Sequence, residues 1–591
     1  MSFSTLYRTL RLLLTIAATI CYCVPTQAQK NWVRQAANTG AHNIALDVDG
    51  NAYVVGYFVG TTALGQELLS SSNSINNGFV AKYDAQGNVL WARPIIGTVL
   101  LNDVVVDTQG DVYVTGAFEK EISCSGTSLK SQGTRDLLLI KYDTKGSLVW
   151  AKQGGGTMGS SVQGAGLAVD KAENIYVTGS INGTTYMDGL TMNSNRGVAL
   201  LLLKYNKQGK LLWTQQGNGT GTENSGAAVG VDAAGNAYVT GRISGTGSFG
   251  TITFPALNQQ SQNDALVVKC DADGNFVWAR RDGGGARTGG SDIAVDQQGN
   301  IVITGIIDTG TASFGSYAFT TSGIHDGFVA RYDTNGALQW ADHIKGNDTD
   351  YGTSVALDAA GNAYVTGIFA SLPTIWGNTT ALSRREGKNA FVVKYSPTGK
   401  VLAAQREGAC GGTFSMGIAV NSAQEIYIAG SFSGTVSFVS TLLTSPGSLF
   451  VAKLGDLSSP STPDSFSCNS VATAPTVPTV PTTPTVPVTP TVPTAPTSPT
   501  PTQPTKPTLA DIFVPNIITP NNDGVNEYLT VKSTDTQVWA LTVYNRWGRQ
   551  VYTTPTYQQN WNATDLSDGM YYYHLLHPSG LHVKGWVEVR R

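Results

Sequence analysis

Between residues 31 and 454 the chain alternates short apolar runs of four to six residues, rich in Val, Ile and Tyr, with tight polar stretches. No run repeats its apolar positions at helical spacing, so the pattern predicts strands. Ile44-Ala45-Leu46-Asp47, with Gly50-Asn51 and then Tyr53-Val54-Val55-Gly56, forms one pair of runs. It recurs at 104–116, 167–179, 229–241, 293–305, 355–367 and 418–430. The polar residue closing the first run stands at Asp47, Asp107, Asp170, Asp232, Asp296, Asp358 and Asn421, in steps of 60, 63, 62, 64, 62 and 63 residues. A second pair, Phe79-Val80-Ala81-Lys82-Tyr83-Asp84 with Gly87 and Trp91-Ala92, lies between these copies. It returns around Lys141-Tyr142, Lys204-Tyr205, Lys269-Cys270, Arg331-Tyr332 and Lys394-Tyr395, and stops short at Lys453-Leu454.

Each unit reads as two hairpins closed by D-x-x-G, where Asp caps the turn and Gly takes the left-handed position. Seven such four-stranded units bury both faces only by packing radially, which predicts an all-β, seven-bladed β-propeller. The seventh unit lacks its Trp strand, and the N-terminal Asn31-Trp32-Val33 is an orphan of that strand. The N-terminal strand is therefore expected to complete the last blade and close the ring, which removes two open sheet edges.

Composition fits this picture. The chain has 67 glycines and 24 prolines, 41% hydrophobic residues and only 13% charged residues, against about 25% in a typical soluble domain. A net charge of −3 gives no electrostatic case for nucleic acid or an anionic membrane as partner. Arg8 and Arg11 precede an apolar stretch, Leu12 to Ile20, followed by Thr26-Gln27-Ala28, so residues 1–28 are expected to be a signal peptide. The mature chain is then expected to contain no transmembrane segment. Cys124, Cys270, Cys410 and Cys468 share no spacing and form no C-x-x-C, which argues against a zinc site and leaves disulfide pairing open. Cys270 replaces a repeat Tyr and is expected to be a plain buried thiol.

The paired I-A-V-D-x-x-G-N-x-Y-V-T-G and F-V-x-K-Y-D-x-x-G segments resemble the seven-bladed β-propeller repeat (SBBP-type) of bacterial exported proteins. The resemblance covers residues 31–454 and implies a fold without a site. The propeller is assigned to residues 29–456 and a Pro/Thr-rich linker to 457–510. Proline occurs at every third residue from Pro475 to Pro499, the repeat of polyproline II, so those residues alone span roughly 75 Å at ~3.1 Å each. Residues 511–591 hold Asn521-Asn522-Asp523-Gly524-Val525-Asn526-Glu527, then Asn545-Arg546-Trp547-Gly548, then Asp568-Gly569-Met570-Tyr571-Tyr572-Tyr573. This module strongly resembles the gliding-motility-associated C-terminal domain, the type B sorting domain of type IX secretion in Bacteroidota. It departs from that family at Asn562-Ala563, where Asp-Gly is usual, and at Met570. The resemblance implies a small Ig-like β-sandwich, the secretion machinery as partner, and a surface or extracellular location. The sorting motif is carried by Asn521, Asp523, Gly524, Asn526, Asn545, Arg546, Trp547 and Gly548.

Catalysis requires convergent titratable groups, and the propeller holds only His42, His325 and His343, at unrelated repeat positions and expected on the surface. The periodic Asp residues precede turns and read as caps. Asp47-Val48-Asp49-Gly50-Asn51 and Asp271-Ala272-Asp273-Gly274-Asn275 look like pieces of calcium loops but lack the distal carboxylate; Asn521 to Glu527 is a better calcium candidate. No catalytic residue, metal site or cofactor is assigned. Trp32, Trp91, Trp150, Trp213, Trp278 and Trp340 share one strand position and are expected to pack between blades, while Trp376 aligns with Phe249 and Phe314. With both D-x-x-G turns of a unit at one end, the longer, variable links share the opposite face, which is the expected binding face. There the strand entries Asn43, Asp103, Asp292 and Ser354, with Arg287 and Tyr351 in the preceding links, are expected to surround the channel mouth. The reading favoured is a secreted or cell-surface protein that mediates protein or glycan binding or adhesion. An exported polysaccharide hydrolase or lyase, and a structural surface component without a discrete ligand, are the alternatives.

Overall fold

The computed structural model describes residues 31–457, less 74, 222, 256–262, 372–373, 377–379, 383–387, 409–410, 439–440 and 456. It also describes residues 512–590, less 515–516, 521–526, 534–538, 546–548, 565 and 579–581. The signal-peptide assignment, the linker assignment beyond Leu457, Cys410 and Cys468 lie outside these residues. The chain divides into two compact units.

The first unit contains seven four-stranded antiparallel sheets. The first runs Thr39–Leu46, Ala52–Phe58, Asn77–Tyr83, Val89–Ile96, from innermost to outermost strand. Five more follow, with inner strands Val99–Val106, Ser161–Val169, Ser225–Val231, Thr288–Val295 and Asp350–Leu357. The seventh joins Gly412–Val420, Ile426–Phe438 and Thr441–Gly455 to the N-terminal strand Trp32–Ala37, in a register that sets Trp32 opposite Lys453 and Ala37 opposite Ser448. Neighbouring inner strands touch in cyclic order, the first meeting the seventh, so the ring is closed.

Three repeated devices hold the ring, and each explains a letter of the repeat. In the first turn, Asp47 Oδ1 accepts the N–H groups of Asp49 and Asn51, while Oδ2 accepts the Asn51 amide and the Tyr53 hydroxyl. Lys82 from the third strand lies over the Tyr53 ring at 4.9 Å and 3.5 Å from the same carboxylate. The second device is a β-bulge in all seven inner strands, at His42, Asn102, Ala165, Ala227, Ser291, Thr353 and Met416. The glycine ending each V-T-G lies beside it; a Cβ on Gly116 would come within 1.9 Å of the Leu100 carbonyl oxygen.

The third device is the outer-strand Trp, which crosses to the next blade. Trp91 Nε1 donates to the Thr144 carbonyl at 3.2 Å, and its ring covers Gly146, where a Cβ would lie 2.7 Å away. Trp32, Trp150, Trp213, Trp278 and Trp340 repeat this on Ala85, Lys207, Ala272, Thr334 and Pro397. The sixth blade has Ala403 in this slot. Its neighbour, the seventh, is completed by the N-terminal strand and has no turn there for a Trp to cover.

The links differ from the loops expected of them. Each of the seven forms a β-hairpin, as in Thr61–Leu64 with Glu67–Ser70, or a continuation of the blade's own strands, as in Ile175–Met187 with Leu190–Tyr205. Several pair with the outer strand of the preceding blade, for example Ser123 with Ile96. Their inward residues, such as Leu64, Leu69 and Ile122, are buried in blade cores, which leaves alternate residues outward. Two of the three histidines also depart from the surface placement expected. His42 lies at the lumen with Nδ1 2.6 Å from the Leu101 carbonyl oxygen. His343 stacks on Phe319 at 4.9 Å with Nε2 2.9 Å from the buried Asp326 carboxylate. His325 is 37% exposed and meets Asp308 at 2.8 Å. Cys270 is fully buried, and burial pushes its thiol well up.

The second unit is also all strand. A five-stranded sheet orders Ile517–Ile518, His582–Val589, Gly569–Leu576, Ala540–Asn545 and Gln550–Thr554, the first pair being parallel. A two-stranded sheet pairs Ile512–Phe513 with Lys532–Ser533. Trp539, Trp561, Leu541 and Val587 lie at its core.

Candidate functional site in the propeller lumen

In a regular strand successive side chains point to opposite faces, and a bulge re-aims them. Here it sets two consecutive residues of an inner strand on the lumen wall: His42 and Asn43, Asn102 and Asp103, Ser291 and Asp292, Thr353 and Ser354. They line a cavity of about 460 Å³. Its walls come from the first half of the inner strands. That half is nearest the links, so the cavity belongs to the link face.

Of the six residues expected at the channel mouth, five line this cavity: Asn43, Asp103, Asp292, Tyr351 and Ser354. Tyr351 sits inside the inner strand Asp350–Leu357 and not in a link, because pairing with Ile368 extends that strand. Arg287 lies apart from the cavity and pairs with Glu223 at 3.1 Å and Asp308 at 3.8 Å.

Asn43, Asp103, Asp292 and Ser354 stitch neighbouring blades. Asp103 Oδ1 accepts the Asn43 amide of blade one and its own strand's Val104 N–H, both at 2.7 Å; Oδ2 accepts the Leu167 N–H of blade three at 2.6 Å. Asp292 accepts Ile293 N–H on Oδ1, and on Oδ2 the Ser354 hydroxyl and Val355 N–H of blade six. The Ser354 hydroxyl oxygen in turn accepts Ile418 N–H of blade seven at 3.3 Å. Burial pushes the Asp103 carboxyl up to about 8, the N–H donors pull it back and the Asp292 charge raises it further. Asp292 is pushed up to about 6 by burial, against the donors that face it.

Several lumen residues were outside the sequence expectation, among them Gln163, Ser225, Ser291 and Arg242. The residue after each V-T-G glycine or its equivalent is Tyr57, Ala117, Ser180, Arg242, Ile306, Ile368 or Ser431. A charge in a slot otherwise neutral was the available signal. Among the described residues no group of three or more His, Cys, Asp and Glu is placed to hold a metal ion. The calcium candidate at Asn521 to Glu527 falls almost wholly outside the described residues, as do Asn521, Asp523, Gly524, Asn526, Arg546, Trp547 and Gly548. Asn545 is described; its side chain accepts the Arg549 N–H at 3.0 Å.

Residues 149–186 match the family described as the β-propeller repeat, and residues 512–589 match the CHU_C type IX secretion signal domain. The C-terminal unit is a type IX secretion signal domain. That signal directs the protein to the cell surface or the extracellular space. Among curated proteins, the chain is similar to an uncharacterised WD repeat-containing protein of Acanthamoeba polyphaga mimivirus. The two are 25% identical over 437 residues, which is 60% of this chain and 31% of the relative. It is also similar to a regulatory protein, FlaEY, of Caulobacter vibrioides: 26% identical over 345 residues, 53% of this chain and 34% of the relative. The chain thus spans about a third of the length of these relatives. Among solved structures, a cobalt-substituted Synechocystis ACO aligns at 10% identity and a TM-score of 0.33, covering 73% of this chain and 95% of that one. A gluconolactonase from Xanthomonas campestris aligns at 12% identity and a TM-score of 0.24, covering 60% and 98%. Similarity at this level transfers no activity. Among the described residues no helix is long and apolar enough to cross a membrane.

Proposed function

We propose that this secreted propeller protein is a binding protein for an extracellular protein or glycan, and that the ligand enters the lumen from the link face. The observation that carries this reading is the cavity of about 460 Å³, a size ordinary for ligand pockets, lined by side chains from all seven blades. Asn43, Asp103, Asp292, Tyr351 and Ser354 contribute to its wall. A hydrolytic reading finds less support. Asp103 and Asp292, the lumen carboxylates, each spend both oxygens on three donors of the blade wall, which leaves neither poised as a general base.

The test is a glycan array and a pull-down with the full exported chain, beside an Ala165→Trp variant that fills the lumen. Binding that disappears in the variant, with its melting temperature retained, is the expected result. Binding that survives a filled lumen overturns the assignment.

A further inference from the structure

The lumen wall is chemically uneven. Around blades one and two its polar side chains are satisfied, His42 by the Leu101 carbonyl and Asn43 by Asp103. Asp292 and Ser354 are closed into the wall as described. Along blades three to six, however, the side chains of Gln163, Ser225, Arg242, Ser291 and Tyr351 reach the cavity with no hydrogen-bond or ion-pair partner among the described residues.

Arg242 is the unusual member of this group. It comes from the second strand of blade four and leans over Gly289, on the inner strand of blade five. A Cβ at Gly289 would lie 2.4 Å from Arg242 Nε, so the missing side chain is what gives the guanidinium its path. A half-buried cation is costly unless an anion completes it. The two lumen carboxylates do not, since each already accepts three hydrogen bonds from the blade wall. The unsatisfied positive charge therefore faces the cavity. A guanidinium presents a planar fork of donors that matches a carboxylate. The neutral groups beside it, two serine hydroxyls, a phenol and an amide, each donate and accept, as sugar hydroxyls do. A bare inorganic anion would engage Arg242 and leave these neutral groups unmatched.

We propose that this arc of the lumen binds an acidic sugar, its carboxylate on Arg242 and its hydroxyls on Gln163, Ser225, Ser291 and Tyr351. The inference rests on the reading of the lumen as a binding site and names the ligand class for it. Isothermal titration of the full exported chain with D-glucuronate, D-glucose and acetate tests it. Glucuronate is expected to bind at least about tenfold more tightly than either control, since it alone uses both kinds of contact. Arg242→Gln is expected to lower glucuronate affinity by about 10- to 100-fold, the range of a charge-assisted pair, at an unchanged melting temperature. Gln163→Ala and Ser291→Ala, which remove no hydrogen bond within the protein, give the same readout as smaller losses should Arg242→Gln disturb folding.

Absence of glucuronate binding at millimolar concentration overturns the proposal, as does wild-type affinity in all three variants. Equal binding of acetate and glucuronate overturns the sugar assignment. If neutral glycans or a protein bind the lumen and glucuronate does not, this inference alone falls. If nothing enters the lumen, the underlying reading falls with it.

Discussion

At the scale of single residues, the turn cluster shows how a repeat tolerates drift by moving a charge. In four blades the lysine over the turn tyrosine pairs with a carboxylate, while Lys269 and Lys394 reach Thr334 and Gln424 of the next blade instead. Lys82 and Lys204 take the turn Asp, at 3.5 and 3.9 Å. In blade two Asp111 fills the usual Asn slot, and Lys141 pairs with it at 2.8 Å. In blade seven the turn Asp has become Asn421 and the Asn slot has become Glu425, which holds Lys453 at 2.6 Å. Blade five has Val302 where the Tyr would stand, and Arg331 reaches both Asp296 and the Gly361 carbonyl instead. Because Lys453 and Glu425 are 5% and 6% exposed, Glu425→Ala leaves a buried cation unpaired. Chemical denaturation is expected to show a loss of about 3 kcal/mol. The same cluster qualifies the D-x-x-G expectation: Glu173 and Gln424 occupy the glycine slot at φ 61°. Asx capping by Asp170 and Asn421 holds the turn there without the glycine. In the secretion signal domain Ala563 sits at φ 55°, where the related family usually carries glycine.

At the scale of elements, the stability of one blade depends on the turn of the next. Trp91 is 5% exposed and donates across the interface to blade two, so Trp91→Ala combines a cavity with a lost hydrogen bond. The expected cost is about 3–5 kcal/mol, read as a lower denaturation midpoint of the whole propeller and not of one blade. The N-terminal strand is the counterpart of these latches at the seventh blade. Deleting Asn31 to Gln35 removes four of the six residue pairs that join it to the third strand of that blade and exposes the edge. Limited proteolysis is expected to find the seventh blade opened; an unchanged digestion pattern would show that closure does not depend on this strand. The link hairpins were the element whose form the repeat hid. Their sequences vary because their outward residues are free to, while inward residues such as Leu64 and Ile122 alternate correctly for burial.

At the scale of the whole molecule, two properties follow from the ring and the tail. The ring brings Asp103 and Asp292 into one lumen, where burial raises both carboxyls. A carboxyl whose folded pKa lies above its unfolded value binds more protons when folded. Its favourable contribution is full below the unfolded value near 3.8 and is lost as pH rises through about 8 for Asp103. The stability of the wild type relative to Asp103→Asn is therefore expected to fall between pH 5 and pH 9, measured as the difference in melting temperature. A flat difference would place the Asp103 carboxyl in the ordinary range. The tail sets destination: deleting residues 511–591 is expected to hold the protein in the periplasm, read by fractionation, because the matched secretion signal lies within them.

The sequence by itself determined the strand content, the seven-fold repeat and the closure by the orphan Trp strand. Each of these is written in local spacing, in turn residues and in an uneven count of strands. It also marked Asn43, Asp103, Asp292 and Ser354, as the entries of inner strands on the face that carries the variable links. Only the tertiary structure decided what those residues do. The bulge that turns them to the lumen wall is a register shift invisible in a single strand, and their donors come from blades about 60 residues away along the chain, such as Asn43 for Asp103. Arg242 shows the same limit. Its access to the lumen depends on the absence of a side chain at Gly289 in another blade, a juxtaposition that exists only once the ring has closed.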